Sequence, residues 1–418
     1  MTQAFHDMIY LFSCALQNID PILTRNIDLL AVQEEAINQG VWPFVFTSLK
    51  KAMENGSLVD NENLIPPWNH QLLLTLMQHT HKNALTASTL QKLQSAGIPC
   101  CIIKGETIAA LYATPQCRMS GDVDVLIPKI QEREACKILE NSGYELMSRN
   151  AGSHHVVACH QEAGTLELHI CLYDSVWEEQ WFPKSDSIIE EPREFQTEYG
   201  NFLQLGYTDG ALFLFFHFVK HFLGRGGGIK QLTDVLTYFS ANAAMLDWKR
   251  IAEKVLHAKC ERLLAHMIGI GVRYLGFSAE QFPPADYDEV MLDRLLEDLY
   301  ERGGFSRQTD EESEIRLPYL KNILEADGKD GEKYLQKKQR QSTMSMLFPR
   351  RKTMEANYPY VMKSAFLVPV AWIHRALCFV FRKIFLMDNN LNRIHSAESQ
   401  ESDIKAKRLS LAEDLKMI

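Results

Sequence analysis

No C-x-x-C pair occurs among the nine cysteines of this 418-residue chain, which fall at Cys14, Cys100, Cys101, Cys117, Cys136, Cys159, Cys171, Cys260 and Cys378. Their odd number and irregular spacing argue against a disulfide framework or a cysteine-based zinc module, and they read as reduced, mostly buried thiols with no disulfide partners. There is no internal repeat. The first residues, Met1-Thr2-Gln3-Ala4-Phe5-His6-Asp7, lack the basic segment and long apolar run of a secretory signal, so the cytoplasm is the expected compartment. The most apolar stretch, Ala365 to Phe381, is interrupted by Pro369 and Arg375 and falls short of the roughly 20 residues of a simple spanning helix. A P-loop is missing too. Gly224-Arg225-Gly226-Gly227-Gly228-Ile229-Lys230 follows a helical pattern rather than a strand and has no Lys-Ser ending, so it reads as an interhelical turn from which Lys230 can reach inward.

What is present suits a multi-part enzyme. With 46% hydrophobic residues the chain can bury a sizeable interior, and its length calls for two or three packed units. The boundaries drawn from pattern and punctuation are an N-terminal helical region over 1–96, a core over 97–206, a helical region over 207–332, a basic amphipathic segment over 333–387 and a loose polar tail over 388–418. Asn26 to Gln39 carries apolar residues near helical spacing and stops at Gly40, and Trp68 to Ser95 does so before Gly97 and Pro99.

Inside the core, Ser120-Gly121-Asp122-Val123-Asp124-Val125-Leu126-Ile127 reads as a strand. Its alternation sends the carboxylates of Asp122 and Asp124 to one face, which suits a hard divalent cation such as Mg²⁺ that reaches a nucleotide through carboxylates and phosphates. Upstream, Ile102-Ile103-Lys104-Gly105-Glu106 passes from an apolar run through a glycine to helix-like residues. Such a turn offers backbone N–H groups to an anion, with the charge of Lys104 beside it. Arg118 precedes the aspartates and can meet a phosphate or the carboxylates themselves. Downstream, Thr165-Leu166-Glu167-Leu168-His169-Ile170 alternates again and puts Glu167 and His169 on one face, supplying a third carboxylate. His154 to His160 pairs with Thr165 to Leu172 as a hairpin. Zinc is set aside there, because His154 and His155 point opposite ways and no cysteine has ligand spacing.

Past the core, Phe195 to Leu205 reads as a second hairpin, and Thr208 or Asp209 is placed to cap the following helix. That helix carries His217 and His221 at i and i+4. A glutamate is missing between them, so the zinc-protease pattern is not met.

Taken together, Lys104-Gly105, Arg118, Ser120, Asp122, Asp124, Glu167 and His169 resemble the DNA polymerase β-like nucleotidyltransferase superfamily, and within it a bacterial group of uncharacterised nucleotidyltransferases. That group also shows a basic H-x-x-K-H helix and a later aspartate, matched by His217, Lys220, His221 and Asp234. The resemblance implies an α+β fold with a mixed sheet flanked by helical regions. It further implies that Asp122, Asp124 and Glu167 are catalytic and hold Mg²⁺ or Mn²⁺, and that a nucleoside triphosphate, ATP among them, donates a nucleotidyl group. Lys104, Gly105, Arg118, Ser120, Lys220 and Lys230 are the candidates for nucleotide contacts. His169, His217, His221 and Asp234 are candidates to orient these groups or bind substrate. The wider superfamily usually carries Gly-Ser where this chain has Lys104-Gly105, so its phosphate grip differs here.

The acceptor stays open: a small molecule, sugar, peptide, protein hydroxyl or RNA end each fits such a core, and so does a nucleotide-binding or partner-binding module without turnover. Charge adds one clue. From Lys333 to Lys383 eleven basic residues face one acid, Glu355, so this stretch carries +10 within a chain of net charge -9. It is expected to pack on an acidic surface of the same protein or to make peripheral contact with an anionic membrane or nucleic acid.

Overall fold

The computed structural model describes residues 1–60, 62–147, 155–173, 181, 191–224, 226–302, 316–328, 330–333, 348, 351, 354, 358, 360–361, 364–375 and 406–418. The chain divides into two units, Met1–Glu312 and Ser313–Ile418. The first contains the N-terminal helices, the core and most of the second helical region.

Helices α1 (Gln3–Gln17), α2 (Leu29–Asn38), α3 (Trp42–Glu54) and α4 (Ile65–Ser95) open the chain. Thr2 and Asp28 cap α1 and α2 by accepting from Phe5 N and Ala31 N, satisfying donors that a helix start leaves open. A seven-stranded mixed sheet follows: β1 (Cys101–Ile102), β2 (Asp122–Leu126), β3 (Glu145–Leu146), β4 (His155–His160), β5 (Gly164–His169), β6 (Arg193–Thr197) and β7 (Gly200–Gln204), ordered β3-β4-β5-β2-β1-β7-β6. Strand β2 pairs in parallel with β5 and antiparallel with β1, and β1 runs parallel to β7. Two short helices, α5 (Glu106–Ala109) and α6 (Glu132–Asn141), lie between strands.

Alternation assigns the two faces of the sheet. Val123, Val125, Val156, Ala158, Leu166 and Leu168 join Ala87, Leu90 and Leu93 of α4 and Ala135 and Leu139 of α6 in one buried cluster. Asp122, Asp124, His155, Glu167 and His169, at the intervening positions, therefore share the opposite face. Helix α7 (Tyr207–Leu223) is largely apolar, and all of its residues but Tyr207, His217, Lys220 and His221 are buried, as expected of a helix packed around most of its circumference. It packs on α8 (Ile229–Ala241), and α9 (Trp248–His257), α10 (Glu261–Tyr274) and α11 (Glu289–Arg302) complete the unit.

Neither expected cap of α7 serves as one. The helix starts at Tyr207, earlier than the pattern suggests, so Thr208 and Asp209 sit within its first turn. Thr208 Oγ1 instead accepts from Asp247 N at 3.0 Å, and Asp209 pairs with Arg250 at 2.6 Å.

In the second unit, α12 (Arg316–Ala326) is followed by a small cluster of Met354, Val361, Val368 and Ala371. Within the segment read as a loose tail, residues 406–414 are helical, and Leu411, Ala412, Leu415 and Met417 are buried. Much of the basic stretch, 334–347 and 376–383 included, lies outside the described residues, as do His154 and Arg225. Among the described residues no helix is long and apolar enough to cross a membrane.

Candidate carboxylate and histidine site on one face of the sheet

The parallel register of β2 and β5 sets Asp124 beside Glu167 and Asp122 beside Thr165. Asp124 is 2% exposed, whereas the Asp122 side chain is 37% exposed, so the two carboxylates of the motif are not equivalent. Lys104 Nζ lies 3.7 Å from Asp124 Oδ2 and 4.0 Å from Asp122 Oδ1. One ammonium thus faces both acids. His169 Nε2 is 2.9 Å from Asp124 Oδ1 and 3.6 Å from Glu167 Oε2.

Each protonation state follows from these neighbours. Burial alone raises the Asp124 pKa, but Lys104 and His169 outweigh it and hold the carboxyl well below its usual range. Glu167 is also lowered, chiefly by the His169 ring beside it. Burial opposes the charge on His169 and on Lys104, yet the adjoining carboxylates raise both. The group sets one lysine and one histidine among three carboxylates.

Helix α7 brings His217 and His221 over this face. Lys104 Nζ is 3.2 Å from His217 Nε2, which is 3.1 Å from His221 Nε2. Burial, followed by the charge of Lys104, depresses both histidines, His217 well below its ordinary value and His221 to about 4. A charged lysine has only protons to offer, so His217 Nε2 accepts from Lys104. Lys220 lies close enough to lower both imidazoles further.

The turn ahead of Asp122 is clamped from two directions. Helix α4 supplies Lys82, whose Nζ donates to Ser120 O at 3.0 Å and Gly121 O at 2.6 Å, and His79, whose Nε2 accepts from Ser120 N at 3.1 Å. Helix α8 supplies Lys230, which donates to Met119 O at 2.8 Å, and Asp234, which binds Arg118 at 2.6 and 3.1 Å. Tyr112 also donates to Asp234, at 2.8 Å, and Arg118 Nη1 donates to Gly105 O at 3.3 Å. Burial brings Lys230 down to about 7. Gly105 has φ 97 and ψ −112, a conformation open to glycine alone, which lets the chain turn from Lys104 into α5.

Each residue singled out in the sequence is therefore in this region, but in two groups. Lys104, Asp122, Asp124, Glu167, His169, His217 and His221 form the site, with Lys220 at its margin. Arg118, Ser120, Lys230 and Asp234 hold the loop and the Gly105 turn. Arg118 is 1% exposed and bonded to Asp234 and to Gly105 O, which ties its guanidinium to the loop. His79, Lys82 and Tyr112 escaped sequence reasoning, although His79 and Lys82 form an i, i+3 polar pair on α4 that helical spacing makes visible. His155 escaped as a site residue as well. Its position opposite His169 follows from counting the pairing back from the His160–Gly164 turn.

An α+β protein whose mixed sheet carries three carboxylates and two histidines on one face, beneath a histidine-bearing helix, is the class that fold and site define. The chain belongs to the family of uncharacterised nucleotidyltransferases, whose model matches residues 25–276 and so takes in the sheet, α7, α8 and every residue of the site. Among solved structures, an antigenic nucleotidyltransferase-like protein from Paracoccidioides brasiliensis is similar at 18% identity, with a TM-score of 0.28, over 38% of this chain and 76% of that one. No curated protein matches the chain.

Proposed function

We propose that this protein transfers a nucleotidyl group from a nucleoside triphosphate to an acceptor bearing a hydroxyl or phosphate. The observation that carries this reading is that Asp122, Asp124 and Glu167 stand on one sheet face of neighbouring strands, with Lys104 set against the two aspartates. Three carboxylates are a donor set that fits a hard divalent cation, Mg²⁺ or Mn²⁺. Asp124 Oδ2 supports the fit, because it is buried and makes no hydrogen bond among the described residues. Asp122, Asp124 and Glu167 would hold that ion, which supplies charge neutralisation to the triphosphate when bound.

The chain's own groups do the rest. Lys104 balances the carboxylates in the protein by itself and is placed to meet a phosphate oxygen once their charge is otherwise satisfied. Its contact with His217 keeps the ammonium on the site side of the sheet. Glu167, held ionised, receives the acceptor's hydrogen bond and orients its oxygen toward the α-phosphorus. The acceptor oxygen bonds to the α-phosphorus as the bond from α-phosphorus to the bridging oxygen breaks and pyrophosphate leaves, with a hydroxyl acceptor giving its proton to Glu167 and a phosphate acceptor attacking already ionised. His169 spans Asp124 and Glu167 and fixes their orientation, while Lys82, His79, Lys230 and the Arg118–Asp234 pair hold the strand that carries the aspartates.

The test is incubation with each labelled nucleoside triphosphate, Mg²⁺ or Mn²⁺, and fractionated cell extract, followed by identification of the labelled species. Transfer is expected to fall about 10²–10³-fold in Asp122→Asn and Asp124→Asn, the scale of losing a main electrostatic contribution. Full transfer by both variants would reject the assignment.

A further inference from the structure

The β4–β5 hairpin contributes a group that a hard-cation site does not need. His155 and His169 are direct cross-strand partners, and Val157 pairs with Glu167, so both imidazoles and the Glu167 carboxylate leave the same face within two residues of one another. His155 Nε2 and His169 Nε2 each lie 3.6 Å from the same oxygen, Glu167 Oε2. One donor atom from each of the three residues lies within 4.8 Å of the others. The ring centroids of the two histidines are 5.1 Å apart with planes inclined by 35°.

We infer that His155, Glu167 and His169 form a binding site for a divalent transition-metal ion of the Zn²⁺ or Co²⁺ class, adjoining the oxygen-lined position at Asp122 and Asp124 and sharing Glu167 with it. Two separations of 3.6 Å to one oxygen exceed a strong hydrogen bond. They match the spacing of ligands on a common ion, because two donors each about 2.1 Å from a tetrahedral metal stand about 3.4 Å apart. Ligand chemistry then selects the ion. Imidazole nitrogen suits Zn²⁺, Co²⁺ and similar ions, whereas Mg²⁺ demands oxygen donors and keeps its water. Asp124 Oδ1, 2.9 Å from His169 Nε2, would exchange its contact with that nitrogen for one with the ion and so offers a further oxygen next to the three. Three protein donors leave open positions, the pattern of a reactive rather than a purely structural site. The hairpin turn fixes the register this requires. Gly164 takes φ 71, and His160 Nδ1 accepts from Glu162 N and Ala163 N at 3.1 and 3.0 Å, so a slip that would send His155 to the other face is opposed locally.

The site is part of the one assigned to nucleotidyl transfer, so the use of the ion rests on that reading, whereas its binding does not. The experiment is accordingly done without nucleotide or acceptor. Full-length protein freed of metal with a chelator is titrated with Co²⁺, and its visible d–d absorption is followed. One equivalent is expected to bind and to resist displacement by a large excess of Mg²⁺. Affinity is expected to fall at least about tenfold in His155→Ala, His169→Ala and Glu167→Gln, and to stay unchanged in His81→Ala, an exposed histidine on α4. His155 is the more accessible of the two histidines, with 22% of its side chain exposed, so His155→Ala carries the test should His169→Ala fail to fold. No Co²⁺ binding by the intact chain, equal affinity in folded His155→Ala, or displacement by comparable Mg²⁺ would each overturn the proposal. Loss of transfer activity with Co²⁺ binding retained would count against the transfer reaction alone.

Discussion

Arg118 and Asp234 form a buried ion pair, Nη2 to Oδ2 at 2.6 Å, that ties the loop before strand β2 to helix α8. Both side chains are nearly inaccessible, so removing one leaves a buried charge that has lost its paired opposite charge. Arg118→Ala and Asp234→Asn are each expected to lower unfolding stability by about 3–5 kcal/mol, measured by urea denaturation. Replacing both by apolar residues should recover much of the loss. Unchanged stability in Arg118→Ala with weakened nucleotide binding would instead restore the arginine to a phosphate-binding role.

Gly105→Ala isolates a conformational cost. An added Cβ would meet Asp122 O at 3.8 Å and Ser120 Oγ at 4.0 Å, ordinary contact distances, so crowding does not forbid it. The positive φ does. Stability is expected to fall by about 1–3 kcal/mol, and nucleotide affinity with it, because Lys104 precedes the distorted turn. Calorimetric titration with a nucleoside triphosphate reads the second effect, and wild-type affinity would mean that the turn does not set the position of Lys104.

Stability should also depend on pH through His221. Its folded pKa is about 4 against 6.5 for an ordinary histidine, so the unfolded chain binds more protons between these values. The stability linked to this neutral ring is present above about pH 6.5 and is lost as pH falls toward 4. His217, depressed in the same direction, adds to the slope. Denaturation midpoints measured across this window should rise with pH, and His221→Gln should flatten the rise. An identical slope in the variant would contradict the buried neutral pair.

Lys82→Met tests the clamp from α4. Its ammonium holds Ser120 O and Gly121 O and reaches no other site residue by a hydrogen bond in the described chain. The turnover rate is expected to fall about tenfold or more through misplacement of Asp122, with KM for the nucleotide little changed. A raised KM at unchanged turnover would make Lys82 a direct nucleotide contact.

Much of this was legible in the chain itself, because alternation is a local property. The spacing Asp122-x-Asp124 and Glu167-x-His169 places each pair on one face of its strand whatever the strands pair with. The apolar residues between them name the opposite face as core, and the Lys104-Gly105 turn declares itself by its glycine. The helical flanks follow from helical periodicity, whereas the α+β class with its mixed sheet is what the resemblance to nucleotidyltransferases implies, and the seven-stranded sheet bears it out. What sequence could not settle is which strands are neighbours beyond the two hairpins. Only the parallel pairing of β2 with β5, strands far apart in the chain, brings Asp124 beside Glu167 and so joins the aspartates to the β4–β5 hairpin that sets His155 opposite His169. Arg118 shows the limit most clearly. Its charge and its place near the aspartates suggest a phosphate contact, yet Asp234, distant in the chain, takes the guanidinium. Pairings of that kind depend on how α8 packs against the loop, and a buried charge is assigned by whichever opposite charge the fold delivers to it, not by its nearest neighbours along the chain.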